Sequence, residues 1–329
     1  MSVNYAALAN TIKIEDITSN ELNREILYKL KNNDESLDKL FIMENDYSDD
    51  RDDYDPGDGD TGWLGYYISN NTNLQEIQFY KTINDESFYK EVSHNKSISR
   101  ICFYVNGSIE DKIFRLLVPF FKSNNNLTEI SVEDSEFGVE GARQLSLAIG
   151  SCNKSLNHVN ISCNTMEIGQ LGNIITALSM HPQLEQLDLT WMDIGINECT
   201  VLSTLLRCTT TRLKKLNLHG NNIDDEGVEV LVNALADINT LQELKLGYNS
   251  SITNRGWTTV STLLERPGTV ENLSIYGNNI GDEGALIFAN ALANNSTLKC
   301  LYLDGNRITM DGWSPFSKLL CDASSIINT

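Results

Sequence analysis

The stretch Leu213-Lys-Lys-Leu216-Asn-Leu218-His-Gly-Asn221-Asn-Ile223 decides how the rest of the chain is read. It recurs as Val270-Glu-Asn-Leu273-Ser-Ile275-Tyr-Gly-Asn278-Asn-Ile280 and again as Leu298-Lys-Cys-Leu301-Tyr-Leu303-Asp-Gly-Asn306-Arg-Ile308. Aliphatics stand at positions one, four and six, and an asparagine at nine. Weaker copies begin at Leu37, Leu74, Ile98, Leu127, Leu156, Leu184 and Leu241, and the seven units from Leu127 start 28 or 29 residues apart. A fixed period of this length is the mark of a repeat array. Stepping back 28 residues from Leu37 reaches Ala9, with Ile12 and Ile14 in the apolar slots, so residues 1–36 are expected to hold a degenerate first copy and the whole chain about eleven.

The second half of each unit carries a helical period. In 224–239, Val228, Leu231, Val232 and Leu235 recur at three- and four-residue steps and make one buried face. Gly227, Gly256, Gly284 and Gly312 stand at matching points near the helix starts, and Asp-Glu before Gly227 and Gly284 suits the positive end of a helix. A box formed by Thr18 and Glu21 is expected to open a helix from Glu21 to Lys31.

The pattern resembles the ribonuclease-inhibitor type of leucine-rich repeat protein across essentially the whole chain, most closely from Leu127 to Leu320. Ran GTPase-activating proteins and the repeat portion of NOD-like receptors are similar. The fold expected is α/β: a single solenoid domain over 1–329, shaped as a horseshoe, with parallel strands on the concave face and helices on the convex face. Strands stack about 4.8 Å apart and helices about 8–10 Å apart, which bends the array. Asn45, Asn106, Asn164, Asn221, Asn249, Asn278 and Asn306 should form a ladder of amides at the turns, weakened where Thr82, Ser135 and Met192 take the slot.

Composition narrows the function. The 329 residues carry 45 acidic and 25 basic side chains, a formal charge of −20, which disfavours nucleic acid and anionic membranes and suits a basic or neutral protein partner. No apolar run approaches the roughly 20 residues of a membrane span, and the first residues lack the pattern of a signal peptide, so a cytoplasmic or nuclear setting is expected. Seven cysteines without CxxC spacing argue against a disulfide framework or zinc site, and no metal or other cofactor is expected. An insertion at 44–62 in the second copy, with nine acids and one arginine over Glu44–Asp60, lacks the spacing of a calcium loop. Pro56 and nearby glycines argue against regular structure there. It reads as a solvated loop, or else as a weak site for a cation or a basic peptide.

Strand positions three, five, seven and eight should face the open side of the sheet. They place Phe41, Tyr80 and Tyr104 near one end, Tyr248, Tyr276, Tyr302 and Asp304 near the other, with Trp191 and His219 behind, and an acidic middle that includes Glu133 and Asp188. Tyr and Trp bury much area with few rotatable bonds, which favours them as interface anchors; the alternative is that the rings cover one another. His158, Cys163 and Asp188 lack any enforced geometry for nucleophilic catalysis. The function expected is therefore a non-enzymatic protein–protein interaction module, scaffold or regulator, with activation of a Ran-type GTPase as the alternative. Self-association through an uncapped C-terminal repeat is a further expectation.

Overall fold

The computed structural model describes residues 3–43, 53–57, 59–152, 154–167, 169–208, 212–236, 238–265 and 268–321. Most of the acidic insertion, Asn45 and the last eight residues, on which the expectation of a frayed C-terminal copy rests, lie outside the described residues. The chain forms two compact units, residues 1–160 with 164–181, and residues 161–163 with 182–329.

The first unit alternates strands and helices after two short N-terminal turns. Its elements are α1 (Tyr5–Leu8), α2 (Glu21–Lys31), β1 (Lys39–Ile42), β2 (Asp53–Tyr54), α3 (Thr61–Asn70), β3 (Glu76–Phe79), α4 (Glu86–Val92), β4 (Arg100–Ser108), α5 (Lys112–Ser123), β5 (Glu129–Phe137), α6 (Val139–Ser151), β6 (His158–Asn160), β7 (Thr165–Met166) and α7 (Gln170–Leu178). All strand pairs are parallel, in the order β2-β1-β3-β4-β5-β6, with β7 beside the far end of β5.

The second unit continues with β8 (Gln186–Asp188), α8 (Ile196–Leu206), β9 (Lys215–Asn217), α9 (Asp225–Leu235), β10 (Glu243–Lys245), α10 (Asn254–Glu265), β11 (Asn272–Ser274), α11 (Gly281–Leu292), β12 (Cys300–Tyr302) and α12 (Met310–Cys321). Its strands pair in chain order, again all parallel.

The register is the one the repeat alignment predicts. Phe41, Gln78, Cys102, Ser131 and Asn160 stand opposite one another along the first unit, and Asp188, Asn217, Lys245, Ser274 and Tyr302 along the second. This follows because period-two alternation must keep the aliphatic set on one face, and slipping one residue would expose it. Leu216, Leu218, Leu244, Leu246, Leu273 and Ile275 are all buried, as are Val228, Leu231 and Leu235 of α9, so each unit's core lies between sheet and helices. Cys199 packs here too, and burial pushes its thiol up to about 12.

The start of the chain differs from the expectation. Ile14 belongs to a 3₁₀ turn, Ile14–Asp16, and is buried there, rather than lying in a strand of a degenerate copy. The strand beside β1 comes from Asp53–Tyr54, inside the insertion whose proline and glycines argued against regular structure. It is held by α2: buried Asn23 donates to the Asp55 carbonyl at 2.8 Å and accepts from the Asp55 N–H at 2.9 Å. Helix α2 has the predicted bounds, but its cap is Asn20, whose side chain accepts from the Asn23 N–H, while the Thr18 hydroxyl accepts from the Asn20 N–H. A better-placed acceptor wins over the longer box.

At the turns, the asparagine amides hold successive repeats together. Asn278 donates to the Leu246 carbonyl of the preceding repeat (2.9 Å) and to Ile275 of its own (2.8 Å), while its carbonyl accepts the Asn249 N–H. Asn306 repeats this toward Ile275 and Leu303, and Asn221 and Asn164 do so toward Leu189 and Val132. Ser135 and Met192 still give their N–H groups to Asn164 and Asn221, but their side chains carry no amide to send back. Asn106 departs from the expectation. It is exposed, at φ +47°, on a bulge where β4 and β5 continue past the usual turn.

A second set of buried amides stands three residues ahead of the first aliphatic. Asn71 donates to the Leu30 carbonyl, Asn95 to Ile68 and Asn71, and Asn295 to Leu264. Each carbonyl then accepts the first N–H groups of its own strand segment, as in Leu74, Ile98 and Leu298. His181 fills the same slot, with Nε2 2.8 Å from the Ile149 carbonyl.

A third link joins consecutive helices. The Asp225 carboxylate accepts from the Thr253 N–H (2.7 Å), the Thr253 hydroxyl and the Gly256 N–H, capping α10 of the next repeat, and Asp282 does the same with Thr309 ahead of α12. A Cβ on Gly256 or Gly312 would lie 2.5 or 2.3 Å from that carboxylate, so the matching glycines keep the approach open. Hydrogen bonds from Thr309 hold the Asp282 carboxyl below the usual range. Burial works against this at Asp225, where bonds from Thr253, Arg255 and Gly256 outweigh it.

Two outcomes are expected. Asn249→Ala strips a fully buried amide of its bonds to Leu218, Leu246 and Ile223, and urea unfolding should show a loss of about 2–3 kcal/mol. Asp225 and Asp282 have depressed folded pKa values, so their contribution is complete above the unfolded value of about 3.9 and is lost as pH falls through the folded value. The Asp225→Asn/Asp282→Asn double variant should be less stable at pH 7 and show a shallower acid decline below about pH 4 in a thermal-melt series.

Candidate functional site

The second unit's sheet face is built by positions five, seven and eight of β9–β12. Position eight needs a left-handed backbone to turn the chain: Gly220, Gly277 and Gly305 have φ of +68°, +71° and +67°. Trp191 and Tyr248 occupy the same slot at +54° and +51°. A side chain in that region costs on the order of 1 kcal/mol, and bulky residues are uncommon there. Both rings stay in the open, with 53% and 49% of their surface exposed.

Each of these rings lies over the glycine of the next repeat. A Cβ on Gly220 would stand 2.3 Å from the Trp191 ring, and one on Gly277 would stand 3.1 Å from the Tyr248 ring. The sequence thus alternates ring and glycine at position eight: Trp191, Gly220, Tyr248, Gly277. Around them, His219 stacks on Tyr276 at 4.7 Å and meets Tyr248 edge-on at 5.0 Å, while Trp191 meets His219 edge-on at 5.6 Å. The Tyr276 hydroxyl and His219 Nε2 are 3.0 Å apart. His219 Nδ1 is buried without a hydrogen-bond partner among the described residues. Burial pushes the imidazole below its ordinary pKa, against the pull of Asp188.

Beside this cluster a cavity of about 590 Å³ opens over four strands, lined by His219, Glu243, Lys245, Tyr276, Tyr302 and Asp304 among others. Glu243 is engaged by Lys245 at 3.1 Å and by Lys215 at 4.0 Å. Asp188 is tied to the Thr190 N–H and hydroxyl and to Asn217. Tyr302 keeps 48% of its surface exposed.

The first unit's face is different. Phe41, Tyr80 and Tyr104 form a row with ring centroids 6.4 and 5.4 Å apart, but Lys39 sits over Phe41 at 4.8 Å and the Tyr80 hydroxyl donates to Gln78. Glu76, nearly buried, binds Lys39 at 3.1 Å and Arg100 at 2.5 Å. Burial alone would raise its pKa, and those partners with Gln78 hold it low. Glu133 accepts from Ser131, and Glu129 lies 3.6 Å from His158. Here the polar groups satisfy one another around the rings, of which Tyr80 keeps 40% of its surface exposed. Of the acidic middle, Glu129 and Glu133 belong to the first unit and Asp188 to the second.

The sequence reading placed Trp191, His219, Tyr248, Tyr276, Tyr302 and Asp304 on this face but missed the left-handed backbone. The signal was present, since glycine fills that slot in three neighbouring repeats. It placed position three on the open side as well, without singling out Glu243, which that row supplies. Among the described residues, no group of three or more His, Cys, Asp or Glu is placed to hold a metal ion, and no helix is long and apolar enough to cross a membrane.

Comparison with known proteins places the chain. Residues 211–232, 269–289 and 294–317 match the family model described as Leucine Rich repeat. The mouse protein "NACHT, LRR and PYD domains-containing protein 14" is 26% identical over 264 residues, covering 68% of this chain and 26% of that protein. Mouse "NACHT, LRR and PYD domains-containing protein 4C" is 27% identical over 170 residues, covering 51% of this chain and 17% of its own length. The chain thus spans about a quarter or less of these relatives. A crystal structure of an internalin (inlF) from Listeria monocytogenes str. 4b F2365 shares the fold, with a TM-score of 0.51 at 17% identity over 96% of this chain and 97% of that one. With parallel strands in fixed register, helices between them and units of 28 or 29 residues, the chain has the leucine-rich repeat fold, and residues 211–232, 269–289 and 294–317 carry that family's repeats.

Proposed function

We propose that the chain is a non-enzymatic protein–protein interaction module, and that it grips a partner with the sheet face of its second unit. Trp191, Tyr248, Tyr276 and Tyr302 are the anchors. The observation that carries this reading is the pair Trp191 and Tyr248. Each holds a bulky ring in the open on a left-handed backbone that three other repeats give to Gly220, Gly277 and Gly305 and two to the smaller Asp134 and Cys163. Strain and exposed apolar area are both unfavourable to the isolated fold, and a surface that keeps both is explained by what it binds. Large rings with few rotatable bonds, set on short strands of a rigid sheet, lose little entropy on binding.

The first unit supports the contrast. Its rings and charges are already matched to one another, and they serve the fold. The free thiols among the described residues, and the net charge of −20, fit action on a protein surface in a reducing compartment.

The test uses a partner recovered with the full chain from its native cells and then purified. Tyr248→Ala/Tyr276→Ala/Tyr302→Ala should raise the Kd for that partner at least tenfold, with a cooperative melt retained, whereas Phe41→Ala/Tyr80→Ala should leave affinity within about twofold. Unchanged affinity in the first variant would sink the proposal. The same variants in a Ran-type GTPase hydrolysis assay examine the regulator alternative, which requires stimulation by the wild-type chain and its loss in the triple variant.

A further inference from the structure

We infer that the cavity over β9–β12 receives an arginine side chain from the partner, its guanidinium lying on the Tyr302 ring and paired with the Asp304 carboxylate. This deepens the reading of the sheet face as a partner surface and rests on it.

The cavity's charges are unequal in what they leave available. Glu243 is occupied by Lys245 and Lys215. Asp304, two residues beyond Tyr302 at the end of β12, is exposed and makes no side-chain hydrogen bond or ion pair among the described residues. Among the described residues lining the cavity, Asp304 is the carboxylate left without a partner, within a chain of net charge −20. That charge complementarity selects a cation as the occupant.

The rings select which cation. Tyr276 is covered by stacked His219, but Tyr302 has no aromatic neighbour among the described residues, and its face is open to the cavity. A planar guanidinium stacks on such a face while pairing with a carboxylate through two N–H groups, and its weak hydration makes it less costly to bury than an ammonium. Arginine, with a long apolar stem, also fits a cavity of about 590 Å³ with an aromatic wall. A lysine would gain the charge and lose the plane.

The experiment titrates the full chain, labelled with ¹³C on tyrosine rings, with the capped pentapeptide Gly-Gly-Arg-Gly-Gly and with matched peptides carrying lysine or citrulline. The arginine peptide should shift the Tyr276 and Tyr302 signals saturably, at least fivefold more tightly than the lysine peptide, and the citrulline peptide should not saturate. Asp304→Asn should weaken the arginine peptide at least tenfold. So should Tyr302→Ala, followed through Tyr276, while Glu229→Gln on the exposed face of α9 should change nothing. Equal binding of citrulline, or full affinity in Asp304→Asn, would overturn the inference. Equal loss in Glu229→Gln would reduce it to the chain's general charge and overturn it as well. If the tyrosine triple variant loses the purified partner while Asp304→Asn keeps it, the partner surface stands and the arginine assignment falls.

Discussion

The turns that follow the short strands bury main-chain groups that those strands cannot pair, and the architecture depends on satisfying them. Three-residue strands leave the following carbonyls and N–H groups inside the molecule, where an unmet hydrogen bond costs about 1–3 kcal/mol. Asn164, Asn221, Asn278 and Asn306 meet this demand by donating from the amide nitrogen to a carbonyl one repeat back and accepting, with the amide oxygen, an N–H of that same preceding turn. The nitrogens of Asn221, Asn278 and Asn306 also bond a carbonyl of their own turn. Because the same side chain satisfies two repeats at once, the turn geometry of one fixes that of its neighbour. Asn71, Asn95 and Asn295 do the same before the strands, and Asp225 and Asp282 do it between helices. Aliphatic burial supplies the driving force, but these polar links set the register in which it acts.

Much of this was legible in the sequence, for a physical reason. Residues that must point inward recur at a fixed spacing, so the strand positions, the register and the buried faces of the helices follow from counting. The second amide row is less regular: three residues ahead of the first aliphatic stand Asn71, Asn95, Asn124, Asn153 and Asn295, but His181, Thr210, Ile238 and Pro267 in the repeats between, so counting alone does not single it out. What counting could not reach was local competition. Ile14 fits an apolar slot equally well from a 3₁₀ turn, and Asn20 outcompetes Thr18 as a cap because its acceptor lies nearer the free N–H groups. The edge strand Asp53–Tyr54 is stabilised by Asn23, 32 residues away, and no periodicity records that contact.

The site was legible as a set of residue types and not as a geometry. Tyr248, Tyr276 and Tyr302 fall on one face by alternation alone. Whether rings at such positions are packed within their own network or left available depends on the neighbours. Lys39, Glu76 and Arg100 tie up the first unit's face, whereas the corresponding charges of the second unit, Lys245 and Glu243, tie up one another and leave Tyr302 and Asp304 open.

The alternation of ring and glycine at position eight carries a geometric restriction on how such a surface can vary. A large side chain there needs its successor to be nearly bare, so two cannot occupy adjacent strands without colliding. Anchors of this kind therefore stand on alternate strands, and the Trp191 and Tyr248 rings lean toward one another over the intervening glycine until their centroids are 6.0 Å apart. Whatever docks on Trp191 and Tyr248 meets one continuous aromatic surface, with His219 against both rings.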